Sequence, residues 1–88
     1  MKIDLNKPVL ELDGTEAPNT TMGKILAQLL VSETKGDALK LWDWAQKLYK
    51  GEIIDLDKSD QETLKTLLKD TDRLPVITKA QILEVITK

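Results

Sequence analysis

Cysteine, histidine and phenylalanine are absent from this 88-residue sequence. Without cysteine there is no disulfide and no thiolate metal site, and a reducing compartment is compatible with the composition. Without histidine the chain lacks the usual general base, the usual pH switch and the commonest nitrogen ligand for a metal. A Ser-His-Asp triad is therefore ruled out. Arg73 is the single arginine. No apolar run approaches the roughly 20 residues that cross a bilayer, and the N-terminal MKIDLNKPVLELDG lacks the continuous apolar stretch of a signal peptide. A soluble intracellular domain with no membrane attachment is expected.

Charge of one sign is lacking too. The formal net charge is −2, with acids and bases interspersed. Lys35, Lys40, Lys47 and Lys50 are spread among acids, whereas a phosphate-binding face needs concentrated basic residues. The pattern argues against nucleic acid, although a small DNA-binding regulator stays as the alternative function. A chain this short buries only about 60–65% of its unfolded surface, so a stability of the order of 5 kcal/mol is expected.

The strongest helix signal runs from Asp37 to Gly51, and it holds all three aromatics, Trp42, Trp44 and Tyr49. At helical spacing Ala38, Leu41, Trp42, Ala45, Leu48 and Tyr49 form one apolar stripe. Asp37 can cap its start and Gly51 can close its end. Trp42 falls near the centre of that stripe, where burial is expected. Trp44 stands beside it, and two readings are open. A third helix or the N-terminal arm buries it, or it is a partly exposed anchor for a partner.

Upstream, residues 9–12 read as a strand segment interrupted before it by Pro8, which cannot donate to a ladder. Asp13-Gly14 is a turn signal. Thr20 or Thr21 can cap a helix whose apolar face is Met22, Ile25, Leu26, Leu29 and Leu30, with Val31 off that face. Gly23 lowers helix propensity near the start; simple tolerance in the first turn is the favoured reading and a close backbone contact the other. Ser32 to Gly36 reads as a short connection.

Downstream, Ile53, Ile54 and Leu56 favour an extended conformation. Its available partner is the N-terminal segment, through residues 9–12 pairing with 53–56 or, failing that, through residues 2–5. Ser59 with Glu62 fits a capping box, with Asp57 a competing cap. Leu64, Leu67 and Leu68 face the core from the next helix, and the segment 71–75 ends it because Pro75 biases Leu74 away from helical geometry. Thr78 with Gln81 suggests another capping box. Ile82, Val85 and Ile86 face inward from the last helix, with Leu83 partly exposed. The fold class expected is mainly α: four short helices in two hairpins, with a small two-stranded sheet between the N-terminal and central extended segments. An irregular four-helix domain without a sheet is the competitor. Residues 1–88 form a single small helical domain, with 1–20 as N-terminal arm and loop.

Asp55, Asp57, Ser59 and Asp60 resemble calcium ligands in spacing, but both registers of a calcium loop fail. Starting at Asp55, the positions that need glycine and glutamate hold Asp60 and Thr66; starting at Asp57, they hold Glu62 and Leu68. Helix capping accounts for these acids. Asp43 and Lys47 are spaced for an exposed ion pair. No catalytic, cofactor or metal site emerges, and the chain reads as no enzyme.

Four stretches, “IDLNKPVLELDG”, “TTMGKILAQLL”, “ALKLWDWAQKLYKGEIIDLDKSD” and “LPVITKAQILEVI”, together resemble small proteins encoded by tailed bacteriophages and prophages. The resemblance spans most of residues 3–86. It implies phage or prophage origin, the cytoplasm of a bacterial host as the location, and a phage or host protein as partner. It carries no assigned site residues and leaves virion component, assembly factor and regulator open. The expected function is noncatalytic action through protein–protein contacts, with particle assembly one setting. Trp44, Leu83 and Val31 are the candidate protein-contact residues. Both a monomer and a two-fold homo-oligomer fit, the monomer marginally favoured.

Overall fold

The computed structural model describes residues 1–33 and 36–87. Thr34 and Lys35, within the expected 32–36 connection, lie outside the described residues, as does Lys88. The order of elements is β1 (Lys2–Ile3), α1 (Met22–Val31), α2 (Ala38–Tyr49), β2 (Ile54–Asp55), α3 (Lys58–Asp70) and α4 (Val76–Thr87). The mainly helical fold with a small sheet is thus present, as two strand-then-helical-hairpin halves.

The strand partner differs from the first expectation. β1 and β2 pair antiparallel in the register Lys2↔Asp55 and Ile3↔Ile54, so the 2–5 segment supplies the partner and 9–12 does not. Ile3 and Leu5 share one side of the extended chain, and both are buried. Residues 9–17 instead fold back on themselves. Ala17 N donates to Val9 O at 2.8 Å, and Glu11 N donates to Thr15 O at 2.7 Å. Asp13 stabilises the turn by accepting from both the amide and the hydroxyl of Thr15, at 3.0 and 2.7 Å. Those bonds hold its carboxyl below the usual carboxylate range, the hydroxyl contributing most. With Val9 bonded to Ala17, Glu11 bonded to Thr15 and Leu10 bonded to Gln81, this stretch makes its backbone pairs away from β2.

The arm also completes the start of α1. Thr21 caps the helix, its hydroxyl accepting from Lys24 N at 3.1 Å. The next free amides, of Met22 and Gly23, donate to the carbonyls of Lys7 and Leu5, both at 2.9 Å. Gly23 is not merely tolerated there. A Cβ at this position would lie 2.8 Å from Leu48 O and 3.3 Å from Leu5 O, so only glycine lets α1 approach the end of α2 and the arm together. Asp37 caps α2, and Gly51, at φ +81°, closes it.

The second half departs from expectation in its caps. Asp57 rather than Ser59 caps α3. Its carboxylate accepts from Asp60 N at 2.7 Å, and Asp60 answers by accepting from Asp57 N at 3.3 Å. Two carboxylates thus satisfy two amides reciprocally, and the helix starts one residue before Ser59. α4 begins at Val76, directly after Pro75, whose carbonyl accepts from Thr78 N and Lys79 N. Thr78 therefore lies inside the helix and is buried. Gln81 makes no cap: its carboxamide accepts from Leu10 N and donates to Leu10 O, both at 2.8 Å. The arm is pinned to α4 by that two-way bond.

One core unites the halves. Leu26, Leu29 and Leu30 from α1, Leu41, Ala45 and Leu48 from α2, Leu64 and Leu68 from α3, and Ile82 and Ile86 from α4 are buried in it. Ile25, Leu67, Leu83 and Val85 pack against it half-buried.

Candidate interaction site

Depressions whose walls differ in chemistry flank α2 among the described residues. The larger, of ≈ 990 Å³, lies between the first turns of α2 and the outer face of α3. Carboxylates predominate among its charged lining residues, yet several already have structural partners. Asp37 caps α2, accepting from Lys40 N at 3.2 Å. Glu62 pairs with Lys65 at 3.3 Å. Arg73 donates to the Ser32 hydroxyl at 2.5 Å and to the Ser32 carbonyl at 3.2 Å, tying the α3–α4 turn to the end of α1.

Beside this cleft Lys40 forms an ion pair with the largely buried Asp60. The hydrogen bond from Lys40 is the main reason the Asp60 carboxyl is held below its ordinary value, and the same bond raises Lys40. Both groups are thereby held ionised. The second oxygen of Asp60 closes the α3 cap, so one carboxylate joins α2 to α3. The Lys40 ammonium also lies 5.4 Å from the Trp44 ring centroid, within range of a cation–π contact. Among the described residues no group of three or more His, Cys, Asp or Glu side chains is placed to hold a metal. No described helix is long and apolar enough to cross a membrane. The Asp43–Lys47 ion pair forms at 3.1 Å on the exposed side of α2.

The smaller depression, of ≈ 330 Å³, is a groove between α1 and α2. Ala27, Gln28 and Val31 form one wall; Trp42, Ala45, Gln46 and Tyr49 form the other, with Lys50 at one end. A hollow of ≈ 210 Å³ shares Val31 and Trp42 and extends the groove toward Ala38. Val31, Trp42 and Tyr49 remain 52%, 55% and 56% exposed. The Lys24 ammonium stands 5.7 Å from the Tyr49 ring centroid, at the same end as Lys50.

Of the two tryptophans only Trp42 departs from its expected place. Trp44 is 5% exposed and forms part of the floor of the α2–α3 cleft. Of its two open readings, burial by another helix is the one observed, and the side chain offers no exposed anchor. Trp42, expected at the centre of the buried stripe, faces outward. The buried face of α2 is Leu41, Trp44, Ala45 and Leu48, centred about 90° at helical spacing from the exposed Ala38, Trp42 and Tyr49, with Ala45 on the shared edge. Of the other candidate contact residues, Val31 lines the groove, while Leu83 is half-buried against the core and away from it. Trp42 and Tyr49 were missed because helical projection places them in the core stripe. One signal could have found them. The apolar positions of α2 from Trp42 round to Trp44 span an arc of about 160° at helical spacing, broader than the ≳ 100° stripe that one core needs.

No protein-family model matches the chain, and comparisons with curated proteins and with solved structures find no match.

Proposed function

We propose that this protein is a noncatalytic phage or prophage protein that acts through protein–protein contacts, with the α1–α2 groove as its docking face. The phage setting, and a part in particle assembly, rest on the resemblance of its sequence stretches. The observation that supports a contact role is the groove itself: Val31, Trp42 and Tyr49 stand together, each more than half exposed. Large aromatics left adjacent at a surface are the usual anchors of protein interfaces, and clustered apolar exposure marks interaction sites more often than scattered exposure does.

The test is a photocrosslinking amino acid placed at Gln28 in the groove and, separately, at Lys69 on α3, in bacteria carrying the induced phage. Crosslinked species specific to position 28 and lost with Trp42→Ala support the docking face. Equal crosslinking from both positions, or none from position 28, overturns it. A salt-sensitive gel shift would speak instead for the DNA-binding alternative, since phosphate contacts weaken as salt rises.

A further inference from the structure

Asp13-Gly14 is the single Asp-Gly pair in the sequence, and no Asn-Gly pair occurs. Both residues are exposed at the turn of the arm, so water reaches the bond between them. Crowding does not explain Gly14, since a Cβ there would meet nothing within 4 Å. Its φ of +87° does, because glycine alone adopts it readily. The turn therefore requires a glycine directly after an aspartate, the pair in which the main chain is least shielded from the acid side chain. In such a pair the glycine amide nitrogen attacks the aspartate Cγ. The new N–Cγ bond closes a succinimide ring, and the amide proton leaves with the carboxyl OH as one water. A second water then opens the ring. Addition at Cγ restores aspartate. Addition at the main-chain carbonyl carbon of Asp13 breaks its bond to Gly14 N, and the chain then runs through Cβ and Cγ as isoaspartate. Water is the sole co-reactant, and the mass of the chain is unchanged.

Ring closure needs a protonated carboxyl, so that its oxygen leaves as water, and an unengaged amide. The fold withholds both. Asp13 Oδ1 accepts from the Thr15 hydroxyl at 2.7 Å and from the Thr15 amide at 3.0 Å, and hydrogen bonds donated to a carboxylate favour its ionised form. Gly14 N donates to Glu11 O at 2.9 Å, and the bond from Glu11 N to Thr15 O spans the same turn. We infer that Asp13 is a site of isoaspartate formation that the folded turn holds closed, with the Thr15 hydroxyl as the principal restraint. Isomerisation inserts one methylene into the main chain between Glu11 and Thr15, and so undoes the pairing that shapes residues 9–17. Gln81 grips Leu10 just upstream, so the same change loosens the arm from α4. The inference is independent of the α1–α2 groove and of what docks there.

The experiment incubates the purified chain at mildly acidic pH and physiological temperature, folded and in guanidinium chloride. Proteolysis at intervals releases the peptide that contains Asp13. Its aspartate and isoaspartate forms have equal mass, separate on reversed-phase chromatography and are told apart by electron-transfer fragmentation. The folded chain should isomerise more slowly than the denatured one. Thr15→Val removes the hydroxyl and keeps the amide and the branched side chain. Losing one hydrogen bond of ordinary net strength corresponds to a factor of roughly three to ten in rate, and folded Thr15→Val should exceed the folded parent by that factor. In denaturant the two should isomerise alike. Thr15→Ser, which restores a hydroxyl, should return to the parent rate. Gln81→Ala frees Leu10 without touching Asp13 and should also keep the parent rate. Far-ultraviolet circular dichroism checks that each variant is folded, and Thr15→Ser against Gln81→Ala carries the comparison if Thr15→Val is not. A folded parent that isomerises as fast as the denatured chain overturns the inference. So does folded Thr15→Val at the parent rate, or Gln81→Ala faster than Thr15→Ser, since general order of the arm would then be the restraint.

Discussion

Gly23 and the carbonyl of Leu48 meet at a distance that admits no side chain: a Cβ on Gly23 would stand 2.8 Å from that oxygen. The contact joins the first turn of α1 to the last turn of α2. In an unconstrained helix, glycine to alanine gains up to about 1 kcal/mol. Here Gly23→Ala should reverse that sign and destabilise by about 1–3 kcal/mol, the usual cost of overpacking. Urea unfolding at neutral pH measures it. A stabilised Gly23→Ala variant would show that α1 and α2 can separate without cost.

The tryptophans should divide stability from exposure. Trp44→Ala empties a buried site and should cost roughly 3–5 kcal/mol. Trp42→Ala should stay within about 0.5 kcal/mol for the monomer, as surface substitutions do. Acrylamide quenching gives an independent check at monomer concentrations. With Trp42→Phe the remaining fluorescence, from Trp44, should resist quenching; with Trp44→Phe the remaining fluorescence should be readily quenched.

At the start of α3, Asp57→Ala should cost about 1 kcal/mol through loss of the cap. Ser59→Ala should lie within about 0.5 kcal/mol of the parent. Thermal unfolding of the two variants side by side distinguishes them, and equal losses would contradict the cap geometry.

The Lys40–Asp60 pair sets an acid and an alkaline limit. The folded carboxyl of Asp60 lies below its ordinary value of 3.8. Its contribution to stability is therefore complete above that value and is lost as pH falls through the lowered pKa. Lys40 lies above its ordinary value of 10.5, so its contribution is complete below that value and is lost as pH rises through the raised pKa. Asp60→Asn should flatten the fall in stability measured by urea unfolding from about pH 5 to pH 2. A residual slope should remain from Asp13, whose carboxyl is lowered by Thr15. An unchanged acid slope in Asp60→Asn would show that the pair contributes nothing in solution.

The limits of α1 and α2, the turn at Asp13-Gly14 and the outward position of Val31 were legible in the sequence because their causes are local. Asp37 caps an amide three residues away, and Thr21 does the same. The apolar period of a helix is likewise read within a few turns. Among caps within reach of one another, locality was insufficient. Ser59 and Asp57 are both competent, and Asp57 prevails where Asp60 can serve the cap and Lys40 at once.

Long-range choices belonged to the tertiary structure. Residues 2–3 rather than 9–12 pair with β2, because 9–17 close on themselves and Gln81 holds Leu10 from α4. Gly23 owes its necessity to Leu48, a residue whose nearness no local pattern records. The sequence by itself determined that α2 is a helix with apolar side chains over a wide arc. Which part of that arc is buried was decided by where α1 and α3 dock. A helix in an 88-residue domain has too few neighbours to cover every apolar position; Trp44 falls on the covered side and Trp42 on the open one.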